Sequence, residues 1–490
     1  MNERVDVTII GSGFSGSILA WILASQGVRV ALIDSATHPR FAIGESSTPI
    51  ADMILRRLGE TYQLCELESL SSWGSWQKNH RDLACGRKRG FSYYAHTPGQ
   101  PFHEHSVGDR SLLVAASGSD SVADTHWFRQ DVDEFFYTRA VDAGAIDFSG
   151  HAVVSHQVDD EARYSVDCLG KQAVRLVSQW VIDASGQAGV LAKLAGAVDR
   201  TSELATQTHC IYAHYTEVGS WVEYLQDCGL DTDRDPFNAD DAAQHHLLGD
   251  GWLWMLRFNN ALTSVGYTAP LSHNLDWSGY PSIQSLFRDA KIAAPDGGPR
   301  RSKRLQRLFD PVIDPHRLML PTAAVTLDPL HSTGIAHALA GVDRVARIIM
   351  ESNPANRAAM VTQYGQAVLE ETRLLDRLVS TAYATISDFP RFTTACMLYF
   401  AAAIRCEQRY QAGQTPTHLW NADDAAFVAL VDHACSLLAG PARSDEFHDE
   451  IRGLLEPWNT VGLLDHALSN RYAYTATKLR SETPPGEQRN

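Results

Sequence analysis

The 490-residue sequence has no apolar run long enough to cross a bilayer. Its longest candidates, 18–24 and 397–404, fall far short of the roughly 20 residues a spanning helix needs. The first directly follows a glycine turn and lacks a cleavage pattern, so it does not read as a signal peptide, and the expected location is cytoplasmic. Excess positive charge is missing as well. Forty-two Lys and Arg against 58 Asp and Glu leave a formal charge of -16, which repels polyphosphate backbones and excludes nucleic acid as an expected partner. The cysteines, at 65, 85, 168, 210, 228, 396, 406 and 435, include no C-x-x-C pair. That excludes a disulfide framework and a zinc site, no metal is expected, and the thiols read as reduced and structural. No internal repeat stands out. A hydrophobic share of 44% and a charged share of 20% fit a soluble globular chain of two to three domains.

What is present begins at the N-terminus. Val5 to Ile10 is a short β-branched run that ends in Gly11-Ser12-Gly13-Phe14-Ser15-Gly16 and passes into a helical stretch, Ser17 to Gln26. In such a turn Gly11 permits the sharp bend, Gly13 lets a pyrophosphate approach the backbone, and Gly16 allows close helix-to-strand packing. The helix start faces the phosphates with unpaired N–H groups. Val28 to Ile33 supplies a second strand ending in Asp34, an acid placed to accept from a ribose 2'-OH. The Gly/Ser/Pro segment 38–49 reads either as a surface loop or as a loop folding back over the cofactor, with Arg40, Gly44, Glu45 and Ser46 as candidate contacts, before a helix from Ile50 to Leu58.

Further on, Gly86 to Tyr94 joins the basic cluster Arg87-Lys88-Arg89 to an aromatic strand-like run. His126 to Phe135 reads as a helix with Arg129 near its start. Val153 to Ile182 reads as a β-meander returning to the first sheet at Trp180 to Asp183, where the Asp183 carboxylate is a second cofactor candidate. In the run 252–258, period two puts Trp252, Trp254, Leu256 and Phe258 on one face, which is either plain core or the wall of an aromatic pocket. The turn from Asp328 and Pro329 to Thr333 and Gly334 precedes a helix, Ile335 to Met350, and can hold an anion on its N–H groups. Beyond Pro354 the pattern is helical, with a break at 388–390 and a disordered tail over 481–490.

Taken in order, the Gly11 turn, the segment Gly44-Glu45-Ser46, the Trp252-x-Trp254 strand and the turn 328–334 resemble those of the flavin-dependent halogenases. The likeness is to the tryptophan-halogenase superfamily, nearest its phenol-halogenating branch. The resemblance implies an α/β, FAD-binding Rossmann-like fold of the aromatic hydroxylase type. It also implies an inserted β-sheet substrate region within 1–350 and a helical domain over 351–480. Gly11, Gly13 and Gly16 match the family's first marker, G-x-G-x-x-G. In the second, W-x-W-x-I-P, Leu256 stands in place of isoleucine and Arg257 in place of proline.

The resemblance further implies an FADH2- and O2-dependent halogenase that installs chloride or bromide on an electron-rich, phenolic ring. Hypohalous acid would pass inward to a lysine. Lys88 is the candidate, with Arg87 and Arg89 as runners-up on the opposite face of the strand. The turn would hold halide on the backbone N–H groups of Thr333 and Gly334, with Asp328 and Pro329 near the cofactor. Where tryptophan halogenases carry a glutamate, this sequence has His331, read either as a base near neutral pH or as a structural side chain. A single dinucleotide turn implies a separate flavin reductase supplying FADH2. A second basic run, Arg300 to Arg307, is either a solvated face or a dock for a carrier protein bearing the substrate. An FAD-dependent aromatic hydroxylase is the alternative within the same fold.

Overall fold

A computed structural model describes residues 2–158, 163–293, 298–441 and 444–473. The tail expected over 481–490 lies outside them. The first strand, Val7–Ile10, is buried on both faces, and its unbroken apolar character suits a central place in a parallel sheet. It pairs in parallel with Val30–Asp34 on one side and Trp180–Asp183 on the other. Ile146–Ser149, Arg317–Met319 and Val312–Asp314 complete a sheet of six strands, and Phe14–Ser25 is the crossover helix after the glycine turn. The meander 152–178 forms a separate four-stranded sheet that also takes up the strand Asn2–Arg4, and the chain does return to the first sheet at Trp180.

A second large sheet of nine strands is centred on Thr208–Thr216, Thr263–Pro270, Gly251–Arg257, Ala242–Leu248 and Gly90–Ala95. Both faces of Gly251–Arg257 are covered. Trp252, Trp254 and Leu256 enter the main core, while Leu253 and Met255 enter a second cluster behind the sheet. The period-two face read from sequence is therefore real, but Phe258 lies past the strand, in a small group with Ala84 and Phe128.

Four helices dominate the remainder: Pro354–Thr385, Phe389–Gln411, Ala425–Ala439 and Ser444–Leu455. Asp388 caps the second by accepting from the Arg391 N–H, which explains the break. The main apolar core runs from Val7 to Tyr472 without interruption at residue 350. Two expectations fail. His126 belongs to a strand, Asp124–Trp127, because its backbone pairs with Cys85–Lys88, and the helix begins only at Arg129. The C-terminal part is not wholly helical either. Arg471–Tyr472 adds a short parallel strand beside Ser111–Ala115, anchored by an Arg471–Asp235 ion pair at 2.5 Å; two residues are too few to leave a periodic signal.

Candidate active site

The glycine turn has the shape its sequence implies. Gly11 adopts φ +108°, where a side chain would be strained, and a Cβ there would fall on the Ala184 carbonyl. A Cβ on Gly16 would fall on the Gly11 carbonyl, so this glycine serves packing within the turn. At Gly13 the space is open, the nearest neighbour of an added Cβ being the Asp133 carboxylate at 3.6 Å. That is the cradle a dinucleotide phosphate requires, and these residues fit FAD.

The polar candidates around the turn divide into free and committed groups. Asp34 stands at the end of its strand as expected, but its carboxylate already accepts from the Ser12 N–H (2.8 Å), the Ser12 hydroxyl, the Ala36 N–H and both terminal nitrogens of Arg40 (2.6 and 2.7 Å). Burial acts to raise its pKa, but Arg40 and these donors outweigh it and hold the carboxyl below its usual range. An incoming ribose hydroxyl must therefore displace Arg40 or the Ser12 hydroxyl.

Arg129 grips Asp133 through two hydrogen bonds of 2.7 and 2.8 Å and donates to the Ile43 and Gly44 carbonyls, which fixes the loop beside the turn. Gly44 is exposed there, while Glu45 corrects the sequence reading: its carboxylate is buried against His214 at 2.8 Å and is not offered to a cofactor. Ser46 pairs its backbone with His126, leaving its hydroxyl buried and without a partner among the described residues. The Asp183 carboxylate is also spent within the chain, accepting from the Ser185 and Leu191 N–H groups at 2.8 and 2.7 Å.

The same loop leads to the lysine. Strand alternation separates the three basic residues of the run. Arg87 and Arg89 pair with Asp120, and Arg87 also with Asp241, whereas Lys88 points inward and is fully buried. Its Nζ donates to the Ser47 carbonyl at 2.5 Å and lies 3.9 Å from the centre of the Phe91 ring. Burial pulls its pKa from 10.5 down to about 8, against the opposing pull of Asp124 and Asp52. Around it the rings interlock: Phe91 meets Tyr399 and His245, His245 stacks on Tyr93 at 4.4 Å, and Trp252 stands 5.0 Å from His245. Trp254 does not join this chamber. It lies across Gly266 and donates to the Ser264 hydroxyl.

The turn 328–334 sits on the opposite wall. The Asp328 carboxylate caps it through the Leu330 N–H and accepts from Thr208 (2.7 Å) and Tyr383 (2.9 Å), and Tyr383 in turn accepts from the Trp252 indole at 2.8 Å. Burial raises Asp328 to about 6. Pro329 is exposed, Ser332 takes the left-handed conformation, and Gly334 opens the helix Gly334–Met350, whose first N–H groups have no intrahelical acceptor. A hydrogen bond of 2.9 Å between Ser15 and Thr322 ties the glycine turn to the segment leading here.

His331 is not a base near neutral pH. Burial pushes it down to about 3, its ring stacks on Tyr399 at 4.2 Å, and both ring nitrogens lack a partner among the described residues. In the basic run 300–307, Arg304 and Arg307 donate to backbone carbonyls and Arg300 covers the Phe41 ring, while Arg300, Arg301 and Lys303 are exposed.

Sequence reasoning missed Ser47, Asp52, Asp124, His126, His245 and Tyr399 as neighbours of the lysine. Ser47 had a local signal, being next to the quoted Gly44-Glu45-Ser46 segment, and Asp52 follows it on the helix Pro49–Tyr62; the others arrive through sheet pairing and a helix more than 300 residues away.

Among known proteins, the profile of the FAD dependent oxidoreductase family matches residues 6–217. The tetracycline 7-halogenase of Kitasatospora aureofaciens is 27% identical over 87% of this chain and 78% of its own length. The monodechloroaminopyrrolnitrin halogenase PrnC of Pseudomonas fluorescens is 27% identical over 79% and 69% respectively. The crystal structure of halogenase PltM with phloroglucinol and FAD shares the fold, with a TM-score of 0.83 at 23% identity over 96% of this chain and 99% of that one. Among the described residues no helix is long and apolar enough to cross a membrane. Likeness to halogenases runs along most of the chain, and its glycine turn lies inside the matched profile of FAD dependent oxidoreductases, so the chain resembles the flavin-dependent halogenases, with FAD as the cofactor that its turn fits.

Proposed function

We propose that the chain halogenates a small, electron-rich phenolic ring, with chloride or bromide as co-substrate and Lys88 presenting hypohalous acid to the ring. The observation that carries this reading is the lysine itself. A fully buried ammonium with one hydrogen bond to a backbone carbonyl and an aromatic face beneath it has donors left for a small polar guest. Reduced FAD, when bound, supplies with oxygen the oxidising power that turns halide into hypohalous acid.

The chain's own residues do the rest. Gly11, Gly13 and Gly16 hold the pyrophosphate, and the N–H groups of Thr333 and Gly334 hold the halide, a site that suits an anion because a helix start offers donors without acceptors. Phe91, Tyr93, Trp252 and Tyr399 exclude water from the path to Lys88. There the ammonium donates to the hypohalous oxygen, so that water leaves as the halogen passes to carbon.

The crystal structure of PltM with phloroglucinol supports a phenolic substrate. A separate reductase supplies FADH2, since the chain has one dinucleotide turn.

The test is mass spectrometry of products from a panel of simple phenols and free tryptophan, with FAD, a flavin reductase and either halide. Halogenated phenol is the expected product. Hydroxylated product in halide-free buffer would make the chain an aromatic hydroxylase, and preferential halogenation of the indole would overturn the substrate class.

A further inference from the structure

Lys88 does not stand alone in its chamber. The register that pairs Cys85–Lys88 with Asp124–Trp127 sets Asp124 directly across the strand from Lys88. Ser47 joins them to Asp52 in the helix Pro49–Tyr62: its carbonyl accepts from Lys88 Nζ, and its hydroxyl donates to the Asp52 carboxyl at 2.9 Å. Asp124 Oδ2 is buried and has no hydrogen-bond partner among the described residues, and its charge acts on both Asp52 and Lys88. Both acids are buried, at 5% and 2% exposure. They also lie at the floor of an open cleft of about 1700 Å³, whose walls carry the hydroxyls of Ser71, Ser72, Ser119 and Ser121. Through Ser47 the lysine is thus joined to an acid that lines the cleft.

We propose that Asp124 and Asp52 share one proton, hold Lys88 charged inside the apolar chamber, and pass protons between that lysine and the cleft. They are positioning residues, acting through Lys88, and the inference rests on the halogenase reading above. Neutralising a buried ammonium takes one nearby anion, and a second unshared anion would be costly to bury.

The step balances as follows. Lys88 gives a proton to the oxygen of hypohalous acid as the O–halogen bond breaks and the carbon–halogen bond forms, releasing water. The neutral amine takes the shared proton from the carboxyl pair. The proton lost by the ring restores the pair through cleft water, so lysine and acids return to their starting state.

Other charged or titratable groups face this cluster. His126 from the same strand as Asp124 and His245 from the large sheet stay neutral, both pushed down to about 3 by burial. Arg56, one turn after Asp52, acts on that acid, and the buried Glu407 from the helix Phe389–Gln411 has its pKa raised by burial and then by Asp124. Burial likewise brings Asp124 up to about 7, and it raises Asp52 as well.

The experiment needs no turnover. Cyanate is small and carbamylates only a neutral amine, so its rate at Lys88, read by peptide mass spectrometry, reports the uncharged fraction. With a pKa of about 8, roughly a tenth of Lys88 is neutral at pH 7. Asp52→Asn combined with Asp124→Asn, which removes the anion altogether, should therefore raise carbamylation at Lys88 up to about tenfold, with other lysines unchanged. Ser47→Ala, which frees Asp52 without removing a charge, should give a smaller rise and serves if the first variant does not fold. In turnover, the loss of kcat as pH rises through about 8 should move down by about one unit in the double variant, with KM for the phenol unchanged. A Lys88 carbamylation rate equal to or below wild type in both variants overturns the proposal. Wild-type protein that labels as expected but yields no halogenated product overturns the halogenase reading instead.

Discussion

Replacing Lys88 with methionine separates what the lysine costs the fold from what it gives the chemistry. Methionine matches its length without the charge. In the folded protein the pKa of Lys88 falls from 10.5 to about 8, which corresponds to about 3 kcal/mol of stability given up to keep the ammonium buried. The sign follows from proton counting: a base whose folded pKa is depressed destabilises the fold below that value, and the cost fades as pH rises from about 8 towards 10.5.

At pH 7 nearly all of the cost is present, and at pH 9.5 about 1 kcal/mol is left. Unfolding entropy for 490 residues, at roughly 2 cal/mol/K per residue, converts 1 kcal/mol into about 1 °C of Tm. Loss of the ammonium also leaves the carboxyl pair without its cation, and that pair answers by taking up a second proton. Lys88→Met should therefore raise Tm at pH 7 by up to about 3 °C, with a smaller gain at pH 9.5, while halogenated product disappears and bound flavin remains. Circular dichroism melts at the two pH values and product analysis with a flavin reductase give both readings. A Tm lowered by more than about 5 °C at pH 7, or an advantage that grows with pH, would refute the burial argument. Retained product would refute the role given to Lys88.

Purified protein should carry FAD yet oxidise neither NADH nor NADPH until a flavin reductase is added; rapid oxidation by the isolated chain would point to a one-component enzyme. Gly13→Val should keep its circular dichroism but lose the flavin absorbance, because an added Cβ meets nothing nearer than the Asp133 carboxylate, at ordinary contact distance, whereas Gly16→Val should fail to fold. His331→Ala should slow halogenation of phenols on the order of ten to a hundredfold. It should leave the pH profile in place, since a histidine pushed down to about 3 contributes no inflection near neutrality. A new inflection, or its loss, would restore His331 as a base.

The parts legible in the sequence were those whose determinants are adjacent in the chain. The glycine turn, the strand before it and the helix after it read correctly because each residue's task is settled by its immediate neighbours. Alternation sufficed to put Lys88 and its arginine neighbours on opposite faces of the strand, and burial makes the lysine's face the inward one. Identity did not predict use for the acids. Glu45, Asp183 and Asp328 were visible as carboxylates beside turns, but their partners, His214, Leu191 and Tyr383, are brought in by the fold. Asp52 and Asp124 gave no signal at all. One lies on a helix turn beside apolar residues, the other in a strand whose pairing partner is 36 positions away, taken from Lys88 to Asp124.

The departure at His331 acquires a physical meaning from this arrangement. A carboxylate at that position would be a further anion near a lysine whose charge is already balanced by one shared negative charge, and it would raise the lysine's pKa and draw its hydrogen bonds. The neutral ring stacked on Tyr399 does neither. His126 and His245 are neutral as well, so among the described residues the ammonium of Lys88 is the cation offered to a guest in the chamber. Activation of the halogen by a single ammonium is weaker than by a lysine and carboxylate acting together. The ring must supply the remaining push, and a phenol does so through its own oxygen, the more strongly as its hydroxyl proton is withdrawn. The carboxyl pair that keeps Lys88 charged is on the far side of the lysine, towards the cleft, where it can take the departing proton without competing for the electrophile.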